Sequence, residues 1–245
     1  MNISHKHKVI WWMPERAGTK MTSQILKRYD FYSHLGYYNV DQESENSPPT
    51  VIGVPYHSHS SILPSKYSDY KLICSIRNPY DRIFSIFVNF SINAIILKKN
   101  KRELIREIFN KWIDTKFYSN KLVVDTPFFN ATQKPIHPEI FNWKFSSRIP
   151  DHVVRIEHFM EDMSKIDFIV NGNPWKNGEV YNYFQNNNFI TKRNFSFSEM
   201  YDIESAKKVF FYYKNHFYMY DYDPFSFTLE NISDEEKIKF IHNPV

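Results

Sequence analysis

The amino-acid sequence predicts an α/β fold: a sandwich of helices around a central, mostly parallel sheet. Three observations point there. Short, nearly continuous apolar runs recur (KVIWWM at 8–13, KLICSI at 71–76), as buried parallel strands require. Each run ends in a proline- or glycine-bearing loop, and each loop opens on an apolar pattern of helical period. Strand, loop and helix therefore alternate along the chain, which is the α/β signature.

The elements follow in order. Residues 8–13 form the first strand, ended by Pro14. Residues 19–29 read as a helix with Met21, Ile25 and Leu26 on one face, and with Thr19 or Thr22 serving its first turn. The polar stretch NVDQESENSPPT at 39–50 is a surface loop, and residues 50–54 are a second short strand leading into YHSHSS. Residues 70–76 are a third strand running into RNPYDRIFSIF, where Pro79 suits a first helical turn because its missing N–H is not needed there. Residues 101–116 carry Leu104, Ile108, Phe109, Trp112 and Ile113 at helical spacing. Residues 152–156 are a fourth strand, entering a short helix at FMEDM, and 203–216 are helical.

Length and composition limit what these elements can build. At 245 residues, 42% hydrophobic and 24% charged, the chain suits one globular domain spanning 1–245. A net charge of +4 is too mild for nonspecific nucleic-acid binding and fits local anion sites instead. The single cysteine, Cys74, lies mid-strand and reads as a buried structural thiol. The N-terminus MNISHKHK has no apolar signal region. The longest apolar candidate, 83–97, is interrupted by Asn89, Ser91 and Asn93 and falls short of a membrane span. A soluble cytoplasmic protein is the expectation.

Glycine is scarce, 5 in the whole chain, yet one stands in the loop PERAGTKM directly after the first strand. A strand that ends in a tight loop feeding a helix aims backbone N–H groups at one point, and the helix dipole adds positive potential there. Gly18 permits close backbone approach, Thr19 offers a hydroxyl, and Arg16 and Lys20 supply fixed charge. An ordinary strand-to-helix turn with solvated charges fits the same stretch. The Walker pattern does not, because no second glycine precedes Gly18 at the required spacing. In the second loop, Arg77 ends a strand and Ser85 lies about two helical turns further on, so the pair can grip one anion. Two anion sites at the carboxyl ends of two strands suit a ligand with two phosphates.

This combination resembles the sulfotransferases that use 3′-phosphoadenosine 5′-phosphosulfate. Arg16, Ala17, Gly18, Thr19 and Lys20 are similar to that family's loop for the 5′-phosphosulfate. Arg77, Asn78, Pro79, Asp81, Arg82 and Ser85 match its R-[ND]-P-x-[DE]-R-x-x-S motif for the 3′-phosphate. VVRIEHFMEDM at 153–163 and FYMYDYDPFSF at 217–227 resemble two further segments of the family, whereas 98–150 match nothing in it. The resemblance implies a P-loop-like three-layer sandwich, the phosphosulfate as donor, adenosine 3′,5′-bisphosphate as product, and no metal. Lys192 and Arg193 lie where the family places basic residues over the nucleotide, and a solvated basic run fits them equally. Arg16 departs from the family's usual lysine. Arginine stays protonated, so it can offset charge but not donate a proton.

Transfer to an alcohol needs a base, and histidine has the suitable intrinsic pKa. PYHSHSS at 55–61 resembles the Tyr-His-x-His segment of sulfotransferases that act on uronic-acid 2-hydroxyls of glycosaminoglycans. Carried over, His59 is the base and His57 its neighbour, which implies a carbohydrate acceptor. Residues two apart on a strand point the same way, so a metal pair or a structural pair remain alternatives. Glu157 can orient active-site groups or simply cap a helix. The rivals to an O-sulfotransferase are a P-loop-type kinase and a nucleotide-binding protein of the same fold without turnover.

Overall fold

The computed structural model describes residues 2–13, 16–18, 22, 25–26, 32–33, 37–38, 51–52, 68–89, 102–116, 150–171 and 195–243. The chain divides into two compact units, Met1–Arg77 with Glu139–Lys192, and Asn78–Pro138 with Arg193–Val245.

In the first unit the apolar runs pair as parallel strands. β2 (Val9–Trp12) lies beside β6 (Lys71–Ile76) with Val9 opposite Lys71 and Trp12 opposite Cys74. β6 in turn pairs in parallel with β7 (His152–Arg155), Ile76 opposite Arg155. Both faces of β2 and β6 are apolar because both are covered: Val9, Ile10, Trp11, Leu72, Ile73, Cys74 and Ile76 are all buried. On one face Val9, Trp11, Ile73 and Val154 pack with Ile25, Leu26, Phe159, Met163, Ile166 and Ile169. The Trp11 indole in that layer donates to Ser75 Oγ at 2.8 Å. The start of β7 is pinned to β6 by Asp151, whose carboxylate accepts from Leu72 N at 2.7 Å.

The sheet extends beyond the expected strands. β1 (Asn2–Ser4) runs antiparallel to β2 across a turn with Lys8 at φ +50°, and β3 (Tyr32–Ser33) runs antiparallel to β1. The order is β3-β1-β2-β6-β7, an open mixed sheet that is parallel from β2 onward. The expected strand at 50–54 corresponds to β5 (Val51–Ile52). Its described partner is β4 (Tyr37–Tyr38), in a separate two-stranded ladder.

The second unit is helical: α1 (Pro79–Asn89), α2 (Arg102–Lys116), α5 (Ile203–Tyr212), α6 (Lys214–Met219) and α7 (Asp234–His242). The short helices α3 (Phe159–Met163) and α4 (Asp167–Asn171) belong to the first unit. The second core is aromatic. Tyr80, Phe84, Phe87, Phe109, Phe210, Tyr213, Phe217, Phe227 and Phe240 are buried together, in edge and tilted contacts such as Phe84–Phe109 at 5.3 Å and Tyr80–Phe217 at 5.0 Å. Helix α2 faces this core through Ile105, Phe109 and Ile113, spaced four apart. Leu104, expected inside, is 43% exposed because the stripe runs one residue further on. Buried Asn110 ties α2 to the segment before α5, donating to Met200 O at 2.9 Å and accepting from Asp202 N at 3.2 Å. The expected helix at 203–216 is two helices that meet at Tyr213.

Among the described residues no helix is long and apolar enough to cross a membrane.

His216 on α6 stacks on Tyr213 and leans on Tyr220 inside this core. Burial, and then the charge of Arg82, push its pKa from 6.5 down to about 3, so the fold holds it neutral. The unfolded chain binds a proton there below about pH 6.5 and the folded chain does not until about 3. The stability it contributes is therefore full above 6.5 and falls as pH drops toward 3, by at most about 1.4 kcal/mol per pH unit. Urea unfolding at pH 7, 6, 5 and 4 is expected to show this slope, and His216→Phe to flatten it.

Candidate functional site

The loop after β2 is built on left-handed backbone. Arg16 has φ +62° and Gly18 φ +69°, with buried Ala17 between them. For arginine this costs about 1–2 kcal/mol, and Arg16 is one of only three described non-glycine residues at positive φ. Changes of hand along the backbone turn N–H groups inward, forming the concavities that hold anions. Thr22 N donates to Gly18 O at 2.9 Å, and Thr22, Ile25 and Leu26 are helical. Gly18 O is thus the acceptor of a helical i to i+4 bond from Thr22. Thr22 Oγ1 is buried with no hydrogen-bond partner among the described residues.

Two neighbours hold the loop. From the end of β6, Arg77 Nη1 donates to Arg16 O at 3.2 Å, so the two loops singled out in the sequence meet at the carboxyl edge of the parallel pair. From the end of β7, Ile156 packs under Gly18. A Cβ on Gly18 would lie 2.5 Å from Ile156 Cδ1 and 3.2 Å from Cγ1, so φ favours glycine there and any larger residue must also push the end of the Ile156 side chain aside.

Ile156 is itself anchored. It follows Arg155, whose backbone N, Nε and Nη2 all donate to the Asp162 carboxylate at 3.0, 2.9 and 2.9 Å, and Lys165 Nζ adds a fourth bond at 3.1 Å. Burial alone would raise the Asp162 pKa, but the Arg155 bonds, with help from Lys165, outweigh it and hold the carboxyl down to about 2. The pair is ionised at any working pH.

The remaining residues of the second motif lie in the second unit. Asn78 Oδ1 accepts from Tyr80 N at 2.9 Å and its amide donates to Ser226 Oγ at 2.9 Å, so Asn-Pro opens α1 as a cap and first-turn proline do. Tyr80 Oη donates to Pro224 O at 2.8 Å. The aromatic segment at 217–227 thus packs on the start of this helix. Arg82 and Ser85 are buried on α1, Ser85 at 1% exposure.

Of the expected site residues, Arg16, Ala17, Gly18 and Arg77 come together in the first unit. Thr19, Lys20, His57, His59, Lys192 and Arg193 lie outside the described residues. Sequence reasoning missed Ile156 and Asp162. The acidic FMEDM segment after a strand was the available signal for the second; nothing marked the first as the neighbour of Gly18. Among the described residues no group of His, Cys, Asp and Glu could hold a metal ion.

Gly18→Ala is expected to cost about 1–2 kcal/mol from backbone strain alone, and more while Ile156 Cδ1 must move aside. In an Ile156→Val background, which removes that atom, the loss should shrink toward the strain alone. A double-mutant cycle by urea unfolding checks this, and zero coupling would exclude the contact. Comparison of the chain with protein-family models, with curated proteins and with solved structures finds no match to any of them.

Proposed function

We propose that the protein is a sulfotransferase that moves the sulfuryl group of 3′-phosphoadenosine 5′-phosphosulfate to a hydroxyl of a carbohydrate. The observation that carries this reading is the Arg77 to Arg16 hydrogen bond at the carboxyl edge of β2 and β6. It joins the two segments that resemble the family's two phosphate motifs, although they lie 61 residues apart in the chain. The left-handed backbone at Arg16 and Gly18, the close approach of Ile156 to Gly18 and the buried Thr22 hydroxyl support an anion cradle in this loop.

In this reading the loop from Arg16 to Lys20 receives the 5′-phosphate, and Arg77 offers its charge to the 3′-phosphate. The acceptor oxygen attacks sulfur as His59 takes its proton, with His57 beside it, and the bond from sulfur to the bridging phosphate oxygen breaks. Arg16 and Lys20 offset the charge that gathers on that oxygen. Fixed cations fill the place that magnesium takes in phosphoryl transfer, so the P-loop-like sandwich would work without a metal. Lys192 and Arg193 would close over the nucleotide. A second reading, a binding protein without turnover, is favoured by Arg16 standing where the family has lysine.

Calorimetric titration is expected to give a clear preference for adenosine 3′,5′-bisphosphate over adenosine 5′-phosphate, lost in Arg77→Ala. Equal affinities would sink the nucleotide reading. With a carbohydrate acceptor, transfer should persist in EDTA and fall at least 100-fold in His59→Ala, with bisphosphate affinity unchanged. Full activity in that variant would remove His59 as the base. Binding without any transfer would favour the non-catalytic protein.

A further inference from the structure

Resting on the nucleotide reading above, we infer that Asp162 is a positioning residue for the 5′-phosphate loop, acting through Arg155 and Ile156 rather than by touching the ligand. The chain of contacts is continuous. Asp162 is 5% exposed and takes both the side chain and the backbone N–H of Arg155, the last residue of β7. With that residue fixed, the next one turns into the short 3₁₀ segment Ile156–His158, and its side chain comes to lie under the Gly18 backbone. The loop needs such a floor because Arg16, one of its three described residues, sits in left-handed backbone, which a non-glycine residue keeps only where surrounding structure imposes it. Arg77 holds the loop from β6 through the Arg16 carbonyl; Ile156 supports it from β7.

The direction of the effect separates this role from simple electrostatics. Asp162→Asn removes a negative charge from the first unit, and charge alone would then tighten the binding of an anionic ligand. Loss of positioning weakens it. The effect should also be centred on the 5′-phosphate, because Ile156 reaches the loop from the end of β7, whereas Arg77 follows β6.

The experiment titrates adenosine 3′,5′-bisphosphate and adenosine 3′-phosphate into the wild type, Asp162→Asn and Asp162→Glu. It includes Ile156→Ala, which leaves the Arg155–Asp162 pair intact and decides the matter if Asp162→Asn fails to fold. The ratio of the two affinities isolates the 5′-phosphate. It is expected to fall about ten-fold or more in Asp162→Asn and Ile156→Ala, with 3′-phosphate affinity unchanged and partial recovery in Asp162→Glu. A ratio that stays at the wild-type value in folded Ile156→Ala or Asp162→Asn overturns the positioning role, even if their melting temperatures drop. A wild type that does not distinguish the two nucleotides overturns the nucleotide reading itself, and the positioning role with it.

Discussion

The parallel pairing of β2 with β6 is the constraint on which the rest of the first unit depends. Parallel strands leave a sheet from the same edge, and the register that sets Trp12 opposite Cys74 brings the loop containing Arg16 within reach of Arg77. Adding β7 on the far side of β6, also in parallel, delivers Ile156 to that edge. An antiparallel arrangement of the same three runs would send one of these ends to the opposite side. Hydrophobic burial on both faces makes the arrangement stable. The Trp11–Ser75 bond satisfies the indole that so large a buried side chain brings with it.

What the strands bring together is a loop under local strain with specific restraints. Left-handed backbone at Arg16 costs about 1–2 kcal/mol. A hydrogen bond from a charged donor contributes about 1.5–3 kcal/mol, so the Arg77 guanidinium on the Arg16 carbonyl is of the size needed to hold that conformation. Gly18 avoids the equivalent cost by lacking a Cβ, and in doing so opens the space that Ile156 fills. The order at this edge thus comes from a few interactions of known direction.

Most of the first unit was legible because short, nearly continuous apolar runs have few solutions. β2, β6 and β7 lie within a residue or two of where the pattern puts them, as does α3. β1 was not legible: Asn-Ile-Ser has no period to read, and its strand character comes from pairing with β2. Helix α7 was missed because its residues are largely polar. The clue was Ser233 with Glu236 three residues on, a capping box that both side chains do complete. In the candidate site the residues of the loop and Arg77 stood out one by one, but their contacts with each other and with Ile156 did not. Arg77 is 61 residues from Arg16, and Ile156 lies in a different apolar segment from Gly18; only the strand order makes them neighbours.

Arginine at position 16 bears on the chemistry less heavily than it first suggests. Under the proposed transfer, the leaving group is a phosphate oxygen, and a phosphate monoester has its second pKa near 6. At neutral pH the departing phosphate is therefore stable mostly as the dianion and needs no proton on the bridging oxygen. A fixed positive charge beside that oxygen does what is required, and guanidinium supplies it with directed N–H donors at every working pH. A lysine would add the option of proton donation, which matters for alkoxide leaving groups with pKa values far above neutral. For a phosphate it adds little. The demanding proton in this reaction is the one on the attacking alcohol, so the base, rather than residue 16, separates a transferase from a protein that merely holds the nucleotide.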